Sequence, residues 1–101
     1  MQPLIEQNMN ELKALLAENE VERAYLFGSV CTDRFNSNSD IDMLIKFKDG
    51  LDLGVYTDNY FSLAEKLEKL FGRKVDLLTE RSLSNPYFIE EINETKQQIY
   101  G

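Results

Sequence analysis

The chain contains no histidine, no tryptophan and a single cysteine in 101 residues. Without histidine, Ser-His-Asp and Cys-His nucleophile systems cannot be assembled from it, and histidine-containing zinc sites go with them. Cys31 alone makes neither an internal disulfide nor a multi-thiolate site, and a lone loop cysteine reads as structural. No apolar run approaches the roughly 20 residues that span a bilayer. The start, Met1-Gln2-Pro3-Leu4-Ile5-Glu6, lacks the basic residues and apolar stretch of a secretory signal, so a cytoplasmic location is expected. Positive charge is also in deficit, with 11 Lys and Arg against 18 Asp and Glu, a net charge of −7. A surface of that sign repels polyanions, so autonomous binding to long DNA or RNA is not expected. A nucleotide neutralised by a local metal, or a basic partner protein, remains compatible with it.

What is left for acid, base or metal chemistry is carboxylate, lysine and hydroxyl. Carboxylates with water suit hard cations such as Mg²⁺, Mn²⁺ or Ca²⁺. The 43% hydrophobic and 29% charged content is that of a globular protein, and the length suits one core, so residues 1–101 read as a single domain.

Ile5, Met9, Leu12 and Leu16 recur at helical spacing and predict a first amphipathic helix. Val21 to Phe27 reads as a strand that becomes buried towards its end and runs into Gly28-Ser29. Val30 to Asn38 is a polar connection with room for a short helix. Ser39 to Phe47 is a second strand, with Ile41, Met43, Ile45 and Phe47 on one face and Asp40, Asp42 and Leu44 on the other. Lys48-Asp49-Gly50 turns the chain. Asp58 to Phe71 reads as a helix with Phe61, Ala64, Leu67 and Phe71 in one stripe and Gly72 as its C-terminal cap. Lys74 to Leu78 is a third strand. Asn85 and Pro86 suit the start of a last helix carrying Phe88, Ile89, Ile92 and Ile99. The order describes a small three-stranded α/β or α+β domain.

Two features carry chemistry. Asp40 and Asp42, two apart in a strand, project from one face with Cα atoms about 6.5–7 Å apart, at ~3.3 Å rise per residue. That spacing lets two carboxylates converge on one cation or a close pair. Without a cation they repel one another and raise each other's pKa. The bland alternative is the wet face of an edge strand, but Leu44 continues the same face and argues against it. Gly28-Ser29 follows a buried strand, where glycine admits a phosphate close to the backbone and Ser29 can donate to its oxygens. Gly28-Ser29, ten residues, then Asp40-x-Asp42 arises by chance in about one chain of this length in a thousand, from average residue usage.

Leu26-Phe27-Gly28-Ser29 followed by Ser39-Asp40-Ile41-Asp42-Met43-Leu44-Ile45 resembles the signature of the polymerase-β-type nucleotidyltransferase superfamily. The size is similar to that of its minimal nucleotidyltransferases, the MntA-like antitoxins encoded beside HEPN-domain toxins. The resemblance implies an α+β domain, a mixed sheet of three to four strands flanked by helices. It implies two carboxylates from one strand, Asp40 and Asp42, and a third from a neighbouring strand, for which Asp76 in Lys74-Val75-Asp76-Leu77-Leu78 is the natural candidate. All three would be metal ligands and catalytic residues, with Asp76 as base, holding Mg²⁺, two ions in the family's scheme. Gly28, Ser29 and Ser39 fall on the nucleotide-binding part of the motif. Where the family often continues with a small residue and Arg-Gly, this chain has Val30-Cys31-Thr32-Asp33-Arg34, which makes Arg34 the candidate for that arginine's role. The alternative for Asp76 is an edge-strand residue paired with Lys74 or Arg73.

The activity implied is transfer of AMP from ATP to a hydroxyl, tyrosine in particular, of a HEPN-type toxin. Two rival readings stand beside it: an antitoxin that neutralises by binding alone, and a nucleotidyltransferase acting on a small molecule. Tyr87 with Phe88, and Tyr56 with Tyr60, read as packing residues before stacking ones. Self-association of the chain stays open.

Overall fold

In the computed structural model, residues 1–101 are all described. The chain forms helices α1 (Pro3–Gln7) and α2 (Met9–Glu18), strands β1 (Val21–Phe27) and β2 (Ile41–Phe47), and helix α3 (Leu53–Phe71). Strand β3 (Val75–Thr79), helix α4 (Pro86–Thr95) and strand β4 (Gln97–Tyr100) follow. The strands make one mixed sheet in the order β3-β2-β1-β4. β1 runs antiparallel to β2 and to β4, while β2 and β3 are parallel and joined through α3. A parallel pair needs such a crossover, since a tight turn cannot return the chain to the same end.

One face of the sheet is covered by the first three helices. Ile41, Met43, Ile45 and Phe47 of β2 face that side, buried among Ile5, Leu12 and Leu16 and among Leu63, Leu67 and Phe71 of α3. The alternation expected for β2 is therefore the one found. The other face is covered by α4 alone, where Ile92 packs on Phe27 and Leu44 with Tyr25, Leu78 and Leu83 around them.

The ends of the helices follow local chemistry. Asp52 caps α3, its carboxylate accepting from Val55 N–H at 2.9 Å, and Gly72 closes it at φ 65°. Asn85 caps α4, accepting from the N–H groups of Tyr87 and Phe88, with Pro86 in the first turn. β3 lies at the sheet edge, and side chains close it. Glu68 accepts from Val75 N–H, while the Tyr60 and Ser82 hydroxyls donate to the carbonyls of Leu77 and Thr79. Such cover blunts an edge that would otherwise invite pairing.

Several expectations are corrected. The first helix is broken at Asn8 into two. α3 starts five residues before Asp58, because the Asp52 cap opens it despite Gly54. Its buried stripe is Leu63, Leu67 and Phe71, and Phe61 is 65% exposed. Ile99 belongs to β4, not to the last helix, since Lys96 leaves the helical conformation and Gln97–Tyr100 pairs with β1. The second and third strands begin later than expected, with Ser39, Asp40 and Lys74 outside them. No helix is long and apolar enough to cross a membrane.

Candidate active site

The site lies where β1 ends beside the beginnings of β2 and β3. Antiparallel register places Phe27 opposite Asp42, and parallel register places Asp42 beside Asp76. Adjacent strands thus bring together two acids that are 34 positions apart. β2 is an inner strand, so Asp42 does not lie on a sheet edge, and Asp40 stands just before that strand.

Gly28 makes the first contact possible. Its φ is +74°, and a Cβ there would stand 2.5 Å from Asp42 Oδ2. Any side chain would be strained by that backbone and would collide with the carboxylate. The glycine is therefore required by Asp42 itself, whatever else approaches it. The Gly28 N–H donates to Thr95 Oγ1 at 2.8 Å, which ties the end of α4 to the end of β1. Ser29 opens the following turn, its carbonyl accepting from both the N–H and the hydroxyl of Thr32 at 2.9 Å.

Asp42 is half-buried, and its carboxyl is pushed up to about 6 by that burial first and then by the charges of Asp76 and Asp40. The Lys74 ammonium partly offsets them. It stands 3.4 Å from Asp76 Oδ1 and 3.9 Å from Asp40 Oδ2. Those carboxylates hold Lys74 above its ordinary pKa, the hydrogen bond to Asp76 contributing most. The Lys74 pairing and the edge position of β3 are thus both real, and neither removes Asp76 from the acid cluster. No three acidic side chains are gathered tightly enough to enclose an ion by themselves. The donor set nevertheless fits a hard cation: carboxylate oxygens only, with one acid strained by its like-charged neighbours.

Two grooves meet at Asp42. One, of about 510 Å³, is lined by Asp42 and Asp76 with Tyr60, Leu77, Leu78, Val75, Phe27 and Phe88. The other, of about 400 Å³, is lined by Gly28, Arg34 and Asp42 with Phe27, Phe88, Ile92, Glu91, Glu94 and Thr95. Phe88 rests edge-on against Phe27, ring centroids 6.3 Å apart, and borders both. Arg34, exposed on the loop after Ser29, reaches the second groove. Ser39 does not line either groove. Its hydroxyl accepts from Asn36 N–H at 3.1 Å within the loop. Tyr60 and Phe88, read from sequence as packing residues before stacking ones, line the grooves. The sequence carries no local signal for Thr95, whose contact with Gly28 is long-range. Burial raises the pKa of the Cys31 thiol and keeps it neutral, in line with a structural cysteine.

A further cavity of about 460 Å³ lies at the far ends of β2 and β3, lined in part by Lys46, Tyr56 and Arg81. Lys46 is engaged by Glu22 and Asp49 and Arg81 lies over the Tyr56 ring, so neither is a free anion receptor.

The family model described as "Polymerase beta, Nucleotidyltransferase" matches residues 10–101. The chain belongs to this family. It is a nucleotidyltransferase with the polymerase-β-type fold, as the Gly-Ser and paired-Asp pattern implied. A relative from Methanocaldococcus jannaschii, provisionally named protein adenylyltransferase MJ1379, is 37% identical over 82 residues, 81% of this chain and 80% of the relative. Among solved structures, a toxin–antitoxin with AMP-PNP superposes with a TM-score of 0.73 at 31% identity, over 93% of this nucleotidyltransferase and 73% of the matched chain. A tri-AMPylated Shewanella oneidensis HEPN toxin in complex with an MNT antitoxin matches with a TM-score of 0.67 at 28% identity, over 95% and 71%.

Proposed function

We propose that this nucleotidyltransferase transfers AMP from ATP to a tyrosine hydroxyl of a HEPN-type toxin and so serves as the antitoxin of the pair. The observation that carries the reading is the meeting of Asp42, Asp76 and Gly28 in strand register at the junction of two grooves. The likeness to toxin–antitoxin structures, one with AMP-PNP and one with an AMPylated toxin, supports the nucleotide and the partner.

The triphosphate takes the groove of Gly28 and Arg34, where the guanidinium can meet phosphate oxygens. Glu91 and Glu94 also line that groove, so binding of a polyanion there depends on added positive charge. Asp40, Asp42 and Asp76 would hold Mg²⁺, which supplies charge for the phosphate oxygens and lowers the pKa of the acceptor hydroxyl. The acceptor takes the more apolar groove beside Asp76, whose walls of Leu77, Leu78, Tyr60 and Phe88 suit an aromatic ring. Asp76 accepts the proton of the hydroxyl. The hydroxyl oxygen bonds to the α-phosphorus, the bond from that phosphorus to the bridging oxygen breaks, and pyrophosphate leaves. Positioning and charge neutralisation suffice, so the lack of histidine is no obstacle. Co-expression with the toxin, followed by its intact mass, tests the proposal: an unmodified toxin that is still neutralised would leave the binding-only antitoxin.

A further inference from the structure

The segment between Thr32 and Asp40 delivers the first carboxylate, yet it has no helix or strand to hold it. It folds on itself through short bonds. Asn38 N–H donates to Asn36 Oδ1 at 2.8 Å, and Ser39 N–H to the Asn36 carbonyl at 3.1 Å. Asn36, Ser37 and Asn38 are exposed, so burial does not fix this turn.

The long-range tie is Arg73. Its Nη1 donates to the carbonyl of Asn36 at 3.0 Å and to that of Ser39 at 2.9 Å. Its guanidinium carbon lies 4.6 Å from the centroid of the Phe35 ring. The Ser39 carbonyl belongs to the peptide group that joins Ser39 to Asp40. Holding that oxygen therefore fixes the plane from which the Asp40 side chain starts. Arg73 also stands one residue from Lys74, whose carbonyl accepts from Ile41 N–H at 3.1 Å, and three from Asp76. One short stretch thus supplies Asp76, begins the pairing with β2 and clamps the approach to Asp40.

We infer that Arg73 is a positioning residue that sets where the Asp40 carboxylate stands relative to Asp42 and Asp76. A guanidinium suits the position, because its broad face lies over Phe35 while one Nη donates to both carbonyls, a geometry a lysine ammonium matches less well. The inference rests on the proposed role of Asp40 as a metal ligand.

A double-mutant cycle tests it, read as the affinity for Mg²⁺ with a non-hydrolysable ATP analogue, by calorimetry on protein shown folded by circular dichroism. Residues that orient a ligand typically cost about 10–100-fold in metal affinity when lost. Arg73→Met is expected to weaken binding about tenfold in the wild-type background and by less than about twofold once Asp40→Asn is present, since the effect travels through Asp40. Arg73→Lys, the milder variant if Arg73→Met folds poorly, should show a smaller loss with the same dependence on Asp40. An equal loss in both backgrounds would mean that Arg73 acts by another route and would overturn the inference. So would unchanged affinity in either Arg73 variant while Asp40→Asn alone weakens binding, and in that case the site itself stands. If Asp40→Asn and Asp42→Asn both leave binding unchanged, the assignment of the site fails and the inference fails with it.

Discussion

Replacing Asp42 with asparagine should stabilise the metal-free protein, and by an amount that depends on pH. The carboxyl titrates near pH 6 in the fold against an ordinary 3.8, because it is half-buried beside Asp76 and Asp40. At 1.36 kcal/mol per pH unit, the gross penalty of keeping it ionised at neutral pH is about 3 kcal/mol. Solvent in the grooves screens much of this, leaving about 1 kcal/mol. Between pH 4 and 6 the folded state binds the proton that the unfolded state has lost, so wild-type stability falls as pH rises through that interval and is level above it. Asparagine keeps the shape and removes the charge. The variant should match wild type near pH 4 and lead by about 1 kcal/mol above pH 6, roughly 4–8 °C in Tm for a domain of this size. Paired thermal melts in EDTA from pH 4 to 8 measure the difference, which cancels the titration of the other acids. A variant less stable than wild type at neutral pH would refute the reasoning, as would a lead that does not change with pH. Added Mg²⁺ should reverse the order, because only the wild type gains from binding it.

Gly28→Ala should destabilise the fold by about 1–3 kcal/mol, since the residue combines φ +74° with a Cβ position 2.5 Å from Asp42 Oδ2; urea unfolding measures it. Calorimetry should show Mg²⁺-dependent binding of ATP far stronger than of AMP, as Glu91 and Glu94 oppose an unneutralised polyanion; indifference to EDTA would contradict the proposed site. Glu80, held below its ordinary pKa by its two 2.8 Å hydrogen bonds from Arg23, lies away from the acids. Glu80→Gln should lower stability at neutral pH and leave transfer intact. Its deficit should shrink as pH falls and wild type loses the pair's contribution, which chemical denaturation at pH 7 and pH 3 would show.

The sequence revealed what rests on local periodicity and end chemistry. Val21–Phe27 is read to the residue, the inner face of β2 follows its alternation, and Gly72 and Asn85-Pro86 mark real helix ends. Asp42 was visible because a strand repeats every two residues, while Asp40, expected on the same strand, stands just before it. What stayed hidden depends on partners distant in the chain. β4 is four residues with two glutamines, and only pairing with β1 makes it a strand. Phe61 is apolar yet points outward, because the burial of α3 is set by Leu63 and Leu67. Arg73 and Thr95 act on residues far from them in sequence, so no local spacing advertises them.

The activity proposed for the acids meeting at Gly28 is transfer of AMP to a partner protein. Its most direct test is the intact mass of a HEPN-type toxin co-expressed with this chain. Transfer predicts a gain of about 329 Da for each AMP attached, absent when the chain carries Asp42→Asn. An unchanged mass, with the toxin neutralised equally well by wild type and Asp42→Asn, would contradict the claim.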